Sequence, residues 1–273
     1  MIFPKDDKFR ERDCVVKNRF EACDRFFYCF KAMKNFDIVT SVFSFVFTTA
    51  WGIWTWRQQY NREQQQKRDK IAALYINPFL VACDQLQSRI YNILERQGIE
   101  YLRERYPDGQ YAEETLYLIA HFFGWEHYIF RYGPYTRDPN VIACTNRIRS
   151  AFARDMRDTT LDPFCFRRQE QIDLGKLVVR KRLSDVELEN IALESISLYD
   201  FIEILNQPFC KDILSVQTTL KALRDARTSS DLGSHQRLVE IQENLVNLLN
   251  YLEKKEGFSL FEKDRKIATS IVK

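Results

Sequence analysis

Residues 77–94, NPFLVACDQLQSRIYNIL, are the first of three segments that place polar groups among apolar ones. On a helical wheel the apolar residues form one stripe, Gln87 falls inside that stripe, and Asp84 and Arg89 border it on opposite sides. A buried amide must find hydrogen-bond partners, because an unmet one costs ~1–3 kcal/mol. The segment therefore predicts either a polar network within the core or one wall of a ligand pocket.

The second segment, TLYLIAHFFGWEHYIF (115–130), is apolar on nearly every side and predicts the central helix of a bundle. His121 lies within it and needs a hydrogen-bond partner, for which Asp84 and Glu170 are candidates. Gly124 lacks a side chain, so it predicts a close crossing with another helix.

The third segment, FCFRRQEQIDLGKLVV (164–179), combines two aromatic residues with a cluster of charges. Arg168 and Gln171 form a plausible pair for binding an anion or a protein partner. A salt-bridged helix start is the alternative interpretation.

The usual signatures of catalysis are missing from the sequence. It holds no P-loop, dinucleotide-binding, zinc-protease or nucleophile-elbow motif. None of the three histidines follows a glutamate by three positions, as a di-iron bundle would require. We therefore predict no metal and no cofactor, and an enzyme is not favoured. Enzymatic activity would need two titratable groups among Asp84, His121 and Glu170 to meet in an open cleft.

Composition narrows the class of protein further. Lys plus Arg is 41 and Asp plus Glu is 38, and a net charge of +3 is too balanced for a general nucleic-acid binder. Gly is 8 and Pro is 7 in 273 residues, which favours long helices over a turn-rich β fold. The sequence predicts an all-α protein.

Residues 38–56, IVTSVFSFVFTTAWGIWTW, carry no charged side chain over 19 residues. As a helix they would measure roughly 28 Å, close to the thickness of a bilayer core. Trp51, Trp54 and Trp56 cluster at one end, as in an interfacial aromatic belt. We predict a single transmembrane helix within 36–56 that serves as an anchor, since a conduit would need ionisable groups at depth. A buried helix of a soluble domain is the alternative.

The flanking charges leave the orientation of this anchor nearly undecided. Four Lys or Arg residues lie in 18–37 and five lie in 57–76. The cysteines are scattered without a framework spacing, which suits a reducing compartment. We therefore expect a single-pass membrane protein whose large C-terminal domain faces the cytosol.

The chain divides into five predicted parts: an amphipathic helix (1–35), the transmembrane helix (36–56), a polar helical stalk (57–70), a helical bundle (71–255) and a mobile tail (256–273). The amphipathic helix could lie on a membrane, on the protein's own bundle or on a second copy. Within the bundle we expect six to seven helices and no strands, with helices near 79–105, 111–131, 140–158, 164–180, 184–207, 209–226 and 235–255. Leucine and isoleucine at 238, 241, 245, 248 and 252 predict a packing seam on the last helix.

NPFLVACDQLQSRIYNIL (77–94), YLIAHFFGW (117–125) and RRQEQIDLGKLV (167–178) resemble the conserved segments of an uncharacterised family of membrane-anchored all-α proteins from cyanobacteria and other bacteria. The resemblance covers about 75–255, and the chain departs from it at Val178, where the family pattern has Met. It implies architecture only, because the family brings no activity, ligand or catalytic residue.

These observations favour a membrane-anchored, non-enzymatic regulatory or scaffold protein. Its expected partners are the lipid bilayer, a protein and a second copy of itself, the last through the seam at 238–252 or the stripe at 9–30, with no nucleic acid. The first alternative is a sensor that binds a small ligand or a lipid headgroup in a bundle pocket. The candidate pocket residues are Asp84, Gln87, Arg89, His121, Trp125, Arg168 and Gln171. The second alternative is an enzyme without a recognisable motif.

Overall fold

The computed structural model describes most of the chain after residue 34. The described residues are 35–95, 97–133, 135, 137–154, 163–181, 193–211, 213–232, 235–257 and 265–267, with side chains from residue 45 onward. The amphipathic helix predicted for 1–35 therefore lies almost wholly outside the described residues. The chain forms two compact units, residues 1–67 and 68–273.

One long helix, α1 (Asn35–Ile71), contains both the predicted transmembrane helix and the predicted polar stalk. Among the residues that the structure describes, no helix is both long and apolar enough to cross a membrane. Four threonines, two serines and one glycine lower the mean hydropathy of residues 38–56.

The second unit is a helical bundle with one small hairpin, so the all-α prediction is confirmed at the level of fold class. A π-helical turn, Ala72–Ile76, precedes the bundle helices. The helices are α2 (Asn77–Leu94), α3 (Gly98–Arg105), α4 (Gln110–Tyr132), α5 (Pro139–Ala153), α6 (Arg168–Val178), α7 (Leu198–Leu205), α8 (Pro208–Lys211), α9 (Leu214–Asp225) and α10 (His235–Glu256), with a 3-10 turn at Ser229–Leu232.

Helix α4 is the centre of this bundle, as its apolar sequence predicted. It packs against α2, α6 and α9, and α10 packs against α5 and α2. Leu238, Ile241, Leu245, Leu248 and Leu252 are fully buried along α10, so the predicted seam is used inside the chain. A folded bundle therefore cannot offer this seam to a second copy.

The prediction of a strand-free bundle is wrong at one place. β1 (Val179–Lys181) and β2 (Leu193–Ser195) pair antiparallel, with Arg180 opposite Glu194. Each strand has only three residues, which is too few to show an alternating pattern. The two strands are also separated in sequence, so a pattern read over neighbouring residues cannot show that they pair. The hairpin matters because it brings Ser195 to the face of α4.

Two further boundaries differ from the prediction. The helix expected over 79–105 is broken between α2 and α3, where Gln97 has a left-handed φ of 70°. Where one helix was expected over 184–207, the described residues form β2 and α7. The side chain of Ser197 caps α7 by accepting a hydrogen bond from the backbone N–H of Asp200. Of the four cysteines that the structure describes, Cys83, Cys144 and Cys210 are free thiols, and the Cys165 thiol lies within 4.0 Å of the backbone oxygen of Ala153.

Candidate functional site

A pocket of about 600 Å³ lies in the bundle unit beside the central helix α4. Its walls come from the π turn and α2, from α4, and from the segment that links β2 to α7. The polar and aromatic lining consists of Asn77, Gln85, Glu114, Tyr117, His121, Trp125 and Ser195. Five apolar side chains and Pro78 complete the wall.

Three of the side chains that line the pocket share one set of hydrogen bonds. His121 Nε2 lies 2.9 Å from Ser195 Oγ and accepts a hydrogen bond of 2.8 Å from Trp125 Nε1. The indole N–H also lies 3.1 Å from Ser195 Oγ. Because α4 carries His121 and Trp125 four residues apart, both project from one helix face, and the hairpin brings Ser195 against them.

These contacts fix the proton on His121. An indole N–H can only donate, so Nε2 of His121 must be the accepting nitrogen and the neutral ring carries its proton on Nδ1. Burial lowers the pKa of His121 to about 4, which keeps the ring neutral at physiological pH. Its Nδ1 is buried and has no hydrogen-bond partner among the described residues. Tyr117 stacks on the ring with centroids 5.5 Å apart.

A serine hydroxyl beside an imidazole is the arrangement used by serine nucleophiles. A catalytic histidine normally needs a third group that orients its other nitrogen and a pKa near the working pH. His121 has no such partner among the described residues, and its pKa of about 4 makes it a weak base at neutral pH. The arrangement is better suited to hydrogen bonding with a ligand than to activating a nucleophile.

The charge of the lining restricts the class of ligand. Among the described residues that line the pocket, Glu114 is the only charged one, and it is ion-paired with Arg89, whose side chain is 8% exposed. These described lining residues include no cation to hold a phosphate or a carboxylate. An uncharged organic ligand is compatible with these groups.

The structure distributes the seven residues predicted to bind a ligand over three places. His121 and Trp125 line the pocket, and Arg89 supports it through Glu114. The other four lie elsewhere: Asp84 and Gln87 face the C-terminal tail, and Arg168 and Gln171 belong to α6. The partners of His121 are Ser195 and Trp125, so the suggestion that it bonds Asp84 or Glu170 is wrong.

Gln171 belongs to a buried polar network between α4, α5 and α6. Its carboxamide accepts from Arg149 Nε at 3.1 Å and donates to the backbone oxygens of Arg149 and Phe166 at 2.9 Å. Arg149 also lies 3.4 Å from the buried carboxylate of Glu126, whose pKa burial raises to about 7. These contacts give Gln171 a structural role between the helices. Arg168 lies exposed at the first position of α6.

Asp84 and Gln87 hold a piece of the C-terminal tail that was predicted to be mobile. Arg265 Nε donates to Asp84 Oδ1 at 3.1 Å, and its two terminal nitrogens donate to Glu253 at 3.0 and 2.6 Å. Gln87 Nε2 donates to the backbone oxygen of Lys266 at 3.1 Å. The polar groups of the α2 stripe are therefore satisfied by residues 265–267.

Sequence reasoning did not identify Ser195, Tyr117, Glu253 or Arg265 as functional residues. Ser195 lies where a helix was predicted, so its approach to α4 could not be foreseen. Arg265 meets Asp84 across 181 positions of sequence, a separation that no local pattern reports.

Within the described ranges, no group of three or more His, Cys, Asp or Glu residues is placed to hold a metal ion. Comparisons with protein-family models, with curated proteins and with solved structures find no match to this chain.

Proposed function

We propose that residues 38–56 hold this chain at a membrane and that its helical bundle acts there as a non-enzymatic scaffold or regulator for a protein partner. The observation that carries this proposal is a group of large apolar side chains on α1 that are each more than half exposed. They are Phe45, Val46, Phe47, Trp51, Ile53, Trp54 and Trp56.

The distribution of these side chains favours lipid over a protein groove as the surrounding medium. At 100° per residue they spread over about 240° of the helix circumference. A helix that docks in a protein groove needs an apolar stripe of only about 100°. Lipid tails surround a helix on every side and would cover the wider surface.

The threonines of this helix bond their hydroxyl groups to the backbone of the same helix. The hydroxyl of Thr49 donates to the backbone oxygen of Phe45 at 2.5 Å, and that of Thr55 donates to Trp51 at 3.0 Å. Thr48 likewise donates to Phe45 at 3.2 Å. Hydroxyls satisfied within their own helix add little cost in an apolar medium, because no donor is left unmet.

The second half of α1 has the opposite character. Residues 57–70, RQQYNREQQQKRDK, are nearly all exposed, and Gln59 donates to Glu63 one turn later at 3.2 Å. As a helix this segment is about 21 Å long. We propose that it is a solvated spacer between the lipid-bound segment and the bundle.

The test is co-sedimentation of the full-length protein with vesicles of phosphatidylcholine, a zwitterionic lipid without net charge. We expect the wild-type protein to pellet with vesicles and to remain there in high salt and after alkaline carbonate, because the contact is apolar. Replacement of Trp51, Trp54 and Trp56 by Ser should release most of the protein. A wild-type protein that stays in the supernatant, or that salt alone releases, would overturn the proposal.

A matched control removes exposed aromatic residues from the bundle instead. Tyr199 is 70% exposed and Phe209 is 51% exposed. The double variant Tyr199→Ser, Phe209→Ser should pellet like the wild type. Equal release of both variants would mean that general surface hydrophobicity, and not α1, carries the attachment.

We also propose a second candidate function, a sensor of small ligands, and the Ser195–His121–Trp125 network in the pocket favours it. Since the lining residues that the structure describes include no cation, we expect an uncharged ligand, which disfavours a phosphate headgroup. The chain has four tryptophans, so replacing Trp51, Trp54 and Trp56 by Phe leaves Trp125 as the single indole reporter.

Benzamide and benzoate are matched probes for this pocket, because they share a ring and differ in charge. We expect millimolar benzamide to change the emission of Trp125 in a saturable way, and Ser195→Val to weaken that change. Benzoate should have no effect. No saturable change with benzamide, or an equal one with benzoate, would contradict the sensor function.

A further inference from the structure

Two acidic side chains from different helices converge on one arginine near the C-terminus. Asp84 of α2 and Glu253 of α10 bind the guanidinium of Arg265 at three of its nitrogens, at 3.1, 3.0 and 2.6 Å. The Arg265 side chain is 6% exposed and each carboxylate is 11% exposed. This degree of enclosure sets the contact apart from a surface salt bridge.

A third residue extends recognition from the side chain to the backbone. Gln87 lies one turn after Asp84 on the same face of α2 and donates to the backbone oxygen of Lys266 at 3.1 Å. The Lys266 side chain is exposed. The three residues therefore recognise an arginine together with the backbone carbonyl of the residue that follows it. The side chain of that following residue takes no part in this recognition. We call Asp84, Gln87 and Glu253 the acidic socket.

The geometry selects a guanidinium over an ammonium. Glu253 receives two nearly parallel N–H groups from the terminal nitrogens, while Asp84 receives the Nε–H. A planar guanidinium provides this fork, whereas a lysine ammonium is a single charge point and cannot reach both carboxylates in this way.

An empty acidic socket would be electrostatically unfavourable. Burial raises the pKa of Asp84, Arg265 opposes that rise, and the charge of Glu253 adds to it. Two nearby, poorly hydrated carboxylates favour any bound cation that also satisfies their lone pairs. The acidic socket is therefore selective for an arginine and is stabilised by holding one.

The described residues that fill the acidic socket, 265–267, belong to no helix or strand. They bind it through the side chain of Arg265 and the backbone oxygen of Lys266. A peptide from another protein that presents an arginine and the following carbonyl could make the same contacts with Asp84, Gln87 and Glu253. A partner peptide could therefore take the place of residues 265–267 in the acidic socket.

We propose that the acidic socket is a binding site for an arginine-containing peptide of a protein partner, which the chain's own residues 265–267 occupy in cis. Release of this tail opens the site, so that partner binding and tail docking exclude each other. The partner segment is extended where it binds and presents one arginine to Asp84 and Glu253 and the following carbonyl to Gln87. This inference goes beyond the proposed membrane attachment and does not depend on it.

The test uses the full-length protein and a fluorescein-labelled peptide with the sequence of residues 262–268, EKDRKIA. The variant Arg265→Ala opens the acidic socket, and we expect it to bind the peptide at least tenfold more tightly than the wild type in fluorescence anisotropy. A peptide with lysine or citrulline in place of the arginine should bind at least tenfold more weakly. Glu253→Gln added to Arg265→Ala should abolish binding.

Lys266→Ala is the matched control, because it keeps the arginine and the carbonyl and should behave like the wild type. Arg265→Lys serves as a second open variant, since it retains one positive charge and protects the fold if Arg265→Ala is unstable. Failure of both folded variants to bind the peptide, or equal binding of the lysine peptide, would overturn the proposal. A wild-type dimer in light scattering that Arg265→Ala lacks would assign the site to a second copy and also overturn it.

Discussion

Gly124 of α4 and Gly175 of α6 lie in backbone contact. A Cβ atom added to Gly124 would come within 2.6 Å of the Gly175 oxygen, and one added to Gly175 would come within 2.6 Å of the Gly124 nitrogen. The close helix crossing predicted at Gly124 is thereby confirmed. This crossing sets the position of α6 and of the strand β1 that follows it, and it thereby places the hairpin that carries Ser195.

We expect Gly175→Ala to destabilise the bundle by about 1–3 kcal/mol, because the new methyl collides with helix backbone that cannot rotate away. Urea denaturation of the full-length protein in mild detergent, followed by circular dichroism, measures this effect. Gly52→Ala on α1 is the matched control, since nothing lies within 4 Å of its Cβ position and alanine favours a helix. Equal stability of Gly175→Ala and wild type would contradict the close crossing.

The sequence allowed the helical class and the central helix to be predicted, because an all-round apolar segment such as 115–130 can be stable only inside a bundle. It also showed that Gln87 and His121 needed partners. It could not supply those partners, because Lys266 and Ser195 lie 179 and 74 positions away and reach them only through tertiary contacts. The hairpin was missed for the same reason, since strands of three residues depend on their pairing and not on local pattern.

Arg237 joins two parts of the chain from inside the core. Its side chain is fully buried and donates to the backbone oxygens of Pro163, at 2.9 Å, and of Arg154. Arg237→Leu should cost about 2–4 kcal/mol, because two carbonyl groups lose their donor. Arg154→Ala is the comparison: its side chain is 51% exposed in an ion pair with Glu240, so its loss should cost no more than about 1 kcal/mol. Similar unfolding midpoints for the two variants would disagree with this assignment.

Asp138 links the start of α5 to the end of α10. Its Oδ1 accepts from the amides of Asn140 and Val141 at 2.9 and 3.1 Å, and its Oδ2 accepts from Tyr251 at 3.0 Å and pairs with Lys255. Burial alone would raise the pKa of Asp138, but these donors hold it below its usual value.

Asp138→Ala should therefore remove both a helix cap and a link between helices, at a cost of about 2–3 kcal/mol in thermal or urea unfolding. Ser197→Ala removes the exposed cap of α7 and should cost about 1 kcal/mol or less. If the two substitutions cost the same, the contacts of Asp138 to α10 contribute nothing to stability.

His121 and Glu126 should give the stability of the bundle opposite dependences on pH. Burial lowers the pKa of His121 from 6.5 to about 4, so between these values the unfolded chain holds a proton that the folded chain does not. Burial raises the pKa of Glu126 from 4.5 to about 7, so between these values the folded chain holds a proton that the unfolded chain does not. Each group contributes a slope of about 1.4 kcal/mol per pH unit, and the two slopes oppose each other from about pH 4.5 to 6.5.

Single substitutions should reveal the slope that each group contributes. The measurement is the free energy of unfolding in urea between pH 4.5 and 6.5, taken as variant minus wild type at each pH. In His121→Gln only Glu126 remains, so stability should fall as pH rises. In Glu126→Gln only His121 remains, so stability should rise with pH and be lost as pH falls towards 4. The variant Tyr199→Ser, at an exposed position, should follow the wild-type profile because it touches neither group. Parallel profiles for all the variants would mean that neither side chain titrates differently in the folded bundle, because only a shifted pKa can tilt these curves.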